Sequence, residues 1–273
     1  MVDWLELFRK ISEQIRQEVK PIFGFKSASK AVGRGAGGDV SKYVDFLAED
    51  IVVKALKGDN VSCILISEEC GERKIGGGGQ NHVILDSIDG TTNAIRSIPF
   101  VSTSMAHSTT DQLIDVNVAL VKDLYNNIEF TAIKGRGAFQ GGRPLRSSTT
   151  KSLGEAMVAM NINPKDKLAE LIERTSAVLN RVLKIRCLGS TALELCYVGS
   201  GALDAFIDLE GLTRATDLAA AYLILRESGG IIVTPLGETL RMPLKASARA
   251  RFISTANENI CNEILSYLRS QAG

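Results

Sequence analysis

The pattern of apolar and polar positions divides the chain into a first half of helices followed by strands and a second half of alternating helices and strands. Apolar residues recur at helical spacing near the N-terminus, where Asp3 with Glu6 predicts a capping box for a helix that ends near Pro21. A second helix is predicted over residues 40–56. Each helix offers one apolar face, so we expect a sheet to cover both.

Strands are predicted where short runs of aliphatic and β-branched residues occur. In the first half these runs cover residues 61–66, 82–85, 102–107, 114–121 and 127–134. The first two end abruptly in acidic residues, as buried strands do when they deliver side chains to a site. A turn-rich hairpin is predicted over residues 134–146, where glycine and proline accumulate.

The second half is predicted to alternate between the two kinds of element. Helices are expected over residues 166–183, 190–199, 216–228 and 257–270, and strands over 184–188, 203–208, 231–234 and 251–254. Such alternation is typical of an α/β fold. We therefore predict an α/β protein with an α+β N-terminal half (1–146) and an α/β C-terminal half (147–273), two subdomains that meet at a cleft.

Charge and composition limit the classes of partner. Lys and Arg total 32 against 31 Asp and Glu, so the whole molecule has no field that would hold nucleic acid or an anionic membrane. A chain of 273 residues that is 45% apolar can fill the core of one large domain or two packed subdomains. We therefore expect a small-molecule or protein partner, with no nucleic acid and no membrane.

The cysteines and the N-terminus indicate a cytoplasmic protein. The five cysteines are scattered, odd in number and without a CxxC spacing, which is typical of reduced thiols. No run reaches about 18 apolar residues, and the N-terminal segment is acidic and amphipathic. We expect neither disulfides nor a zinc site, and neither secretion nor a membrane span.

The strongest chemical signal is the segment 85–93, Leu-Asp-Ser-Ile-Asp-Gly-Thr-Thr-Asn, at the end of a predicted strand. Asp86 and Asp89 can converge there on one cation, and the Ile88 carbonyl adds a third oxygen, which suits a hard ion such as Mg²⁺. If a helix starts after Gly90, its N-terminus forms a phosphate cradle. An isolated Asp-Gly-Thr is more typical of a surface turn, but the full string favours a metal site.

Two further acidic elements accompany this segment. Glu68 and Glu69 follow the predicted strand 61–66, and Asp217 lies in the first turn of a predicted helix that is rich in small residues. Adjacent acids after a strand are equally typical of a solvated loop, and an Asp at this helical position normally caps the helix. From the residues alone, both alternatives stay open for each element.

Together, the three elements resemble the signatures of the inositol monophosphatase superfamily: a Glu-Glu pair after a strand, Asp-Pro-Ile-Asp-Gly-Thr-Thr-Asn, and a late Trp-Asp followed by small residues and Glu-Ala-Gly-Gly. The resemblance spans most of the chain in the right order. It departs at Ser87, where proline is common, and at Thr216, where tryptophan is common. Neither change removes a ligand. The resemblance implies the layered α-β-α-β-α sugar-phosphatase fold.

The resemblance also implies roles for individual residues. Metal ligands are expected at Glu68, Asp86, Ile88 (through its carbonyl), Asp89 and Asp217, with Asp86 bridging two cations. Thr91 and Asp45 are expected to orient and deprotonate the attacking water. Two or three Mg²⁺ ions per site are implied, for which Mn²⁺ can substitute, and the reaction is direct in-line attack on phosphorus without a covalent intermediate.

The sequence offers no obvious activated nucleophile. Cys70 lies near the acids, but a carboxylate-rich surrounding raises the pKa of a thiol. The two histidines, His82 and His107, each lie in an apolar run, which favours a core or strand residue over a catalytic base.

Substrate contacts are expected mainly in the second half. The expected residues are Asp89, Gly90, Thr91, Thr92, Arg186, Gly189, Ser190, Thr191, Asp208, Glu210 and Arg214. The segment 189–191 resembles the family's Gly-Thr-Ala turn, which contacts sugar hydroxyls, and either Asp208 or Glu210 is expected as the hydroxyl-binding acid. Arg186 and Arg214 either bind a second phosphate, since guanidinium suits bidentate phosphate contacts, or form surface salt bridges.

The segment 208–217 looks like that of archaeal-type enzymes that accept both fructose 1,6-bisphosphate and inositol 1-phosphate. We therefore expect a Mg²⁺-dependent phosphatase of carbohydrate metabolism that acts on a small phosphate ester, as in gluconeogenesis. The alternatives are a phosphatase for 3′-phosphoadenosine 5′-phosphate and a non-catalytic regulatory member of the family. We also expect a homodimer, which is common in the family, and a mobile glycine-rich loop over residues 33–38.

Overall fold

The structure, a computed structural model, describes residues 2–36, 40–162 and 168–270. Its α-helices are α1 (Trp4–Val19), α2 (Tyr43–Gly58), α3 (Thr91–Arg96), α4 (Leu168–Leu179), α5 (Thr191–Gly199), α6 (Ala215–Glu227) and α7 (Glu258–Ser270). Its strands are β1 (Ala31–Arg34), β2 (Val40–Lys42), β3 (Cys63–Ser67), β4 (Gly71–Ile75), β5 (His82–Asp89), β6 (Ser102–Ser108), β7 (Val116–Asp123), β8 (Glu129–Ile133), β9 (Ala138–Gln140), β10 (Arg143–Pro144), β11 (Met157–Met160), β12 (Lys184–Arg186), β13 (Ala205–Arg214), β14 (Ile231–Val233) and β15 (Arg249–Thr255).

Helices and sheets stack in five layers. The larger sheet has the strand order β10-β9-β8-β7-β6-β5-β3-β4, and the smaller has the order β12-β11-β13-β15-β14. Helices α1 and α2 pack on the outer face of the larger sheet, α5 and α6 lie between the sheets, and α4 and α7 pack on the outer face of the smaller sheet. The predicted α-β-α-β-α layering is confirmed.

The position of strand β5 explains why acidic side chains lie together at one edge of the larger sheet. Its residues Val83 and Leu85 face the α1 and α2 layer, whereas Ile84 faces α5 and α6. Because helices cover both faces, the strand is a continuous apolar run in the sequence. Strand β5 runs parallel to β3, so the acidic residues that follow the two apolar runs lie at the same edge of the sheet.

One apolar core extends across the predicted subdomain boundary at residue 146. It contains Ile84 and Phe130 from the first half together with Phe206 and Leu218 from the second. Helices α5 and α6 therefore fill an interior that both halves share. This shared core explains how side chains from both halves reach one site.

Helix α1 is amphipathic and lies on the surface. The N–H of Glu6 donates to the Asp3 carboxylate at 3.1 Å, so Asp3 caps the helix as predicted. On the opposite face Phe8, Ile11 and Ile15 are fully buried. Neither α1 nor any other helix in the described part of the chain combines the length and the apolar character needed to cross a membrane.

The start of α2 differs from the prediction. Residues Val40–Lys42 form β2, which pairs antiparallel with β1, and the helix begins only at Tyr43. Lys42 is extended (φ −98°, ψ 157°), and its N–H donates to the Asp45 carboxylate at 3.2 Å. The apolar spacing continues through this cap into the preceding strand, so periodicity alone places the helix start too early.

Besides β2, the strands β1, β4 and β11 and one helix end are also missed by the sequence pattern. Strand β4 has the sequence GERKI at the edge of the larger sheet, where charged residues replace an apolar pattern. Strand β11 is only four residues long. Helix α4 ends at Leu179 instead of residue 183. Residues 166–167 of that predicted helix, and residues 37–38 of the predicted mobile loop, lie outside the described residues.

A buried pair of aromatic rings on the smaller sheet allows the packing of the layered core to be tested. Phe206 is fully buried and stacks on Phe252, with ring centroids 5.7 Å apart. Phe206→Ala should lower the free energy of unfolding by about 3–5 kcal/mol, because a cavity remains where the ring packed. Urea denaturation measures the loss, with Leu236→Ala as the control because Leu236 is 72% exposed. A loss below about 1 kcal/mol would contradict this packing.

Candidate active site

Five acids from both halves of the chain gather where β3 and β5 end. They are Asp45, Glu68, Asp86, Asp89 and Asp217. Burial raises the pKa of Asp86, and the charge of each of the other four raises it as well, so all four lie near Asp86. Helices α2, α3, α5 and α6 begin beside this group, so their N-terminal N–H groups are close to its negative charge.

Asp45 lies in the first turn of α2 and is only 6% exposed. The hydroxyl of Thr91 donates to Asp45 Oδ1 at 2.9 Å and also lies 3.1 Å from the carbonyl oxygen of Ile88. Burial raises the pKa of Asp45 to about 7, although the Thr91 hydrogen bond lowers it. Sequence pattern alone gives Asp45 the character of an exposed helical acid, whereas the structure buries it beside Thr91.

Asp86 is the acid whose pKa is raised by the charges of all four others. It lies within β5, and its Oδ1 accepts the N–H of Ile88 at 3.1 Å. Burial, followed by repulsion from Asp217 and Asp89, raises the pKa of Asp86 well above its usual range. A charged carboxylate at this point requires a nearby cation to offset its desolvation.

Asp89 connects the end of β5 to the start of α5. Its Oδ2 accepts from the Ser190 hydroxyl at 2.5 Å, the Ala192 N–H at 2.8 Å and the Ser102 hydroxyl at 3.3 Å, and its Oδ1 accepts the Thr191 N–H at 3.2 Å. Burial raises the pKa of Asp89, while these donors lower it. Since Oδ2 already has three donors, Oδ1 is the oxygen with capacity left for a cation.

Asp217 caps α6 and also faces the other acids. Its Oδ2 accepts the N–H of Arg214 at 2.9 Å, and its Oδ1 accepts the Thr216 hydroxyl at 3.1 Å. Its charge nevertheless raises the pKa of both Asp86 and Asp89. Capping and cation binding, which the sequence presents as alternatives, are therefore compatible for this carboxylate.

Glu68 forms an ion pair that joins the two halves of the chain. Arg214 Nη2 lies 2.8 Å from Glu68 Oε1, and the two side chains are only 17% and 24% exposed. Burial raises the pKa of Glu68, and the charge of Arg214 lowers it. Arg214 therefore forms a salt bridge with a predicted metal ligand. Arg186, the other candidate for phosphate, donates to the Ile185 carbonyl at 2.9 Å.

The donor set fits a hard divalent cation. Carboxylates supply only oxygen ligands, which Mg²⁺ and Mn²⁺ prefer, and several like charges in a buried place call for a compensating cation. Among the described residues, however, no three or more His, Cys, Asp or Glu side chains already form a metal-ligand cluster. Of the expected ligands, Glu68 is the one whose Oε1 is paired with a guanidinium, that of Arg214.

Helix α3 starts at Thr91, as the phosphate-cradle interpretation requires. Gly90 precedes it with φ +94°, and a Cβ at Gly90 would lie 3.1 Å from the Gly189 carbonyl oxygen, so glycine permits a close approach of two backbones. Thr92 is exposed in the first turn. The structure thus places Gly90, Thr91 and Thr92 beside the segment 189–191.

A segment that we call the substrate loop, residues 188–190, leads into α5. Asn93 Nδ2 donates to the Leu188 carbonyl at 2.8 Å and to the Phe100 carbonyl at 2.9 Å, which ties this loop to α3. Gly189 is exposed, whereas Ser190 is fully buried with its hydroxyl on Asp89. The loop therefore lies next to the acids, as predicted from the Gly-Ser-Thr sequence.

The structure distinguishes Asp208 from Glu210. Asp208 is fully buried, and its carboxylate accepts the N–H groups of Glu210 at 2.9 Å and Gly211 at 3.1 Å together with the Thr213 hydroxyl. It stabilises its own turn and cannot also reach a substrate, which corrects its expected role. Glu210 is partly exposed and raises the pKa of Cys187 beside the substrate loop, so it is the remaining candidate.

His107 and Cys70, which the sequence does not favour as catalytic groups, have other contacts in the structure. His107 Nδ1 lies 2.7 Å from Asn117 Oδ1, its Nε2 lies 3.0 Å from Asn81 Oδ1, and its ring stacks on Trp4. Burial, more than charge, raises the pKa of the Cys70 thiol to about 11. Neither group is suited to act as a base or nucleophile at neutral pH.

Four supporting residues are not identified by sequence reasoning. They are Lys42, Asn93, Ser102 and Glu194, which contact carboxylates or backbone groups. For two of them the contact is local: Glu194 is an acid in the first turn of a helix, and the Lys42 N–H bonds Asp45 three residues further on at the cap of α2. The contacts of Asn93 and Ser102 depend on the fold and carry no local signature.

The raised pKa values predict how stability depends on pH when divalent cations are chelated. Between its ordinary value of 3.8 and about 7, Asp45 holds more protons in the folded than in the unfolded state. Stability must therefore fall as pH rises through that window, and the shifts of Asp86 and Asp89 have the same sign.

We expect the melting temperature in EDTA to be at least about 4 °C lower at about pH 8 than at about pH 5. Added Mg²⁺ should remove much of this difference, because a cation favours the ionised carboxylates. Differential scanning fluorimetry measures both. A metal-free melting temperature that is equal or higher at the alkaline pH would contradict the described electrostatics.

The ion pair between Arg214 and Glu68 leads to a second prediction. Arg214→Gln should bind Mn²⁺ or Mg²⁺ about 10-fold more tightly in calorimetry, because the guanidinium no longer competes for the carboxylate. In EDTA the same variant should melt at a lower temperature, because the acids lose a counter-charge. Arg9→Gln, which breaks the exposed ion pair with Glu129, is the matched control. Weaker cation binding by Arg214→Gln would contradict the competition.

Known proteins that are similar to this chain in sequence include named phosphatases. A 32% identical relative from Methanothermobacter thermautotrophicus, a fructose-1,6-bisphosphatase/inositol-1-monophosphatase, aligns over 97% of this chain and 96% of its own length. A 33% identical relative from Methanococcus maripaludis is a bifunctional NADP phosphatase/NAD kinase, which aligns over 92% of this chain but 47% of its own length. The chain thus spans about half the length of that bifunctional relative.

Solved structures agree with the sequence relatives. A crystal structure of an inositol monophosphatase-fructose 1,6-bisphosphatase superposes with a TM-score of 0.86 at 29% identity, covering 97% of this chain and 100% of that one. The Thermotoga maritima IMPase gives a TM-score of 0.82 at 26% identity, covering 99% and 98%. The model of the inositol monophosphatase family matches residues 4–270. The chain is a phosphatase that belongs to the inositol monophosphatase family.

Proposed function

We propose that this phosphatase is a Mg²⁺-dependent phosphomonoesterase that hydrolyses fructose 1,6-bisphosphate and inositol 1-phosphate. The observation that carries the proposal is the buried group of acids around Asp86, to which both halves of the chain contribute. Such a group is costly to bury without cations, and it provides the oxygen ligands that Mg²⁺ prefers. The relative from Methanothermobacter supports this pair of substrates.

The metal ligands are proposed to be Glu68, Asp86, the carbonyl of Ile88, Asp89 and Asp217. When bound, Mg²⁺ would lower the pKa of the attacking water and offset charge on the phosphoryl oxygens. Asp89 would keep Oδ1 for this purpose while its Oδ2 remains bonded to the start of α5. Glu68 would join the set once it leaves Arg214.

Asp45 and Thr91 are proposed to handle the proton of the attacking water. The Thr91 hydroxyl contacts Asp45 at 2.9 Å, so one hydrogen-bonded pair can hold the water and accept its proton. A pKa of about 7 suits a general base near neutral pH. The water oxygen would bond to phosphorus as the ester P–O bond breaks, and the leaving oxygen would take a proton from solvent, so that the products are the alcohol and inorganic phosphate.

Substrate recognition is proposed to use both sides of the cleft. Thr92 and the N–H groups at the start of α3 are proposed to bind the phosphoryl group, and Gly189, Thr191 and Glu210 the hydroxyls. Ser190, expected from the sequence to contact substrate, is fully buried with its hydroxyl on Asp89 and supports this surface from behind. Arg214, once released from Glu68, is the group closest to the acids that can bind a second phosphate. This arrangement favours a bisphosphate over a monophosphate of the same sugar.

The proposal is tested by phosphate release from a panel of esters with Mg²⁺ or EDTA. Fructose 1,6-bisphosphate should be hydrolysed faster than fructose 1-phosphate, inositol 1-phosphate should be hydrolysed, and EDTA should abolish all turnover. Asp86→Asn should lower kcat/KM at least about 100-fold, because a ligand and a charge near the reacting phosphorus are removed. It should also melt at a higher temperature in EDTA, because repulsion among the acids decreases.

The control for this variant is Asp111→Asn, which makes the same chemical change at an exposed position. It should keep both activity and melting temperature. The proposal is wrong if inositol 1-phosphate is inert, or if the bisphosphate is no better a substrate than fructose 1-phosphate. Binding of Mg²⁺ without turnover of any ester would indicate a regulatory protein instead.

A nucleotide substrate is the second candidate. Two bifunctional NADP phosphatase/NAD kinase relatives, from Methanococcus maripaludis and Methanocaldococcus jannaschii, are 33% and 34% identical to this chain. Their phosphatase activity would place the 2′-phosphate of NADP at the same acids. NADP and 3′-phosphoadenosine 5′-phosphate therefore belong in the panel, and a higher kcat/KM for either would favour this candidate.

Assembly and location stay predictions. We propose a homodimer, to be measured by light scattering coupled to gel filtration, and a cytoplasmic protein, in keeping with its free cysteines.

A further inference from the structure

Glu194 is a buried acid that the proposed chemistry does not use. It lies in the first turn of α5 and is only 2% exposed. Burial, with a smaller contribution from the charge of Asp89, raises the pKa of Glu194 to about 8. An acid in such surroundings is costly to the fold unless hydrogen bonds offset its desolvation. Its hydrogen-bond partners therefore indicate what the residue does.

The partners of Glu194 are backbone N–H groups of the substrate loop. The Leu188 N–H donates to Glu194 Oε1 at 3.0 Å, and the neighbouring N–H groups of Gly189 and Ser190 lie close enough to favour the charged form of this group. Three successive amides of the loop are thus near one carboxyl group, in the manner of a backbone nest. Gly189 has φ +84°, a conformation that glycine adopts without strain.

The other side of this segment faces the proposed chemistry. The Ser190 hydroxyl donates to Asp89 at 2.5 Å, and the Ala192 N–H donates to the same oxygen at 2.8 Å. The Asn93 amide holds the Leu188 carbonyl at 2.8 Å. The donors of this segment are therefore divided between Glu194 on the inside and Asp89 on the active-site side.

We propose that Glu194 is a positioning residue for substrate recognition: it fixes the substrate loop so that the exposed Gly189 and the partly exposed Thr191 meet the hydroxyls of a polyol phosphate. The inference rests on the proposed function. In this proposal Glu194 contacts neither the phosphate nor a cation. It acts indirectly, through the loop residues that bind the hydroxyls. Recognition of hydroxyls, more than cleavage of the phosphate, should therefore depend on Glu194.

The main experiment is Glu194→Gln, assayed with inositol 1-phosphate and with p-nitrophenyl phosphate. The amide keeps the size of the side chain but turns an NH₂ group toward loop N–H groups, which leaves donors without an acceptor. KM for inositol 1-phosphate should rise about 10-fold with kcat changed less than about 3-fold. KM for p-nitrophenyl phosphate, which has no hydroxyls for the loop to bind, should stay within about 2-fold.

The matched control is Asp204→Asn in the same half of the chain. Asp204 is also a buried carboxylate that accepts a backbone N–H, that of Met157 at 2.7 Å, but it lies on a different segment. It should lower stability without changing the KM ratio of the two substrates. If Glu194→Gln raises both KM values equally, or changes neither, Glu194 has only a structural role and the inference is wrong.

A second measurement needs no activity. Amide hydrogen exchange in the wild-type protein should be slow at Leu188, Gly189 and Ser190, although Gly189 is exposed to solvent. Fast exchange at these amides would overturn the inference even in an active enzyme. Slow exchange in a protein that hydrolyses no phosphate ester would instead show that the proposed function failed while the loop contacts hold.

If Glu194→Gln does not fold, Glu194→Asp replaces it. The shorter side chain keeps the carboxyl group but reaches less far toward the loop amides, so KM for inositol 1-phosphate should rise with an intermediate factor. An unchanged KM ratio in a folded Glu194→Asp variant, together with fast exchange at the loop amides, would overturn the inference.

Discussion

The burial of like charges at one point is the constraint on which the rest of this structure depends. Five carboxylates converge on the edge where β3 and β5 end, and each raises the pKa of Asp86 or is Asp86 itself. Burying one carboxylate in a protein interior is unfavourable, and burying several together adds their repulsion. The surrounding fold therefore has to supply positive charge and hydrogen-bond donors.

The fold meets this demand mainly with helix N-termini. Asp45 accepts a backbone N–H at the start of α2, Asp217 does so at the start of α6, and Asp89 accepts two at the start of α5. An N-terminal N–H is an otherwise unpaired donor with a partial positive charge. Each acid thus stabilises a helix end while the helix stabilises the acid, so fold and site depend on the same contacts.

Arg214 and Glu194 are two further ionisable side chains whose contacts bear on this group of acids. Arg214 supplies one full positive charge from the second half to Glu68 in the first. Glu194 is a buried acid outside this group of five, and it accepts the Leu188 N–H of the substrate loop. The first contact offsets negative charge within the site, and the second ties the loop beside the site to α5.

The sequence by itself determined the layered fold class, most elements, and the acids at strand and helix ends, because periodicity, β-branched runs and short motifs are local signals. Only the tertiary structure decided the burial of Asp45, the pairing of Arg214 with Glu68 and the commitment of Asp208 to its own turn. The Thr91 to Asp45 contact spans 46 residues and the Ser190 to Asp89 contact spans 101. Such contacts depend on how the layers stack and on which N–H groups remain unpaired, and no single stretch of sequence contains that information.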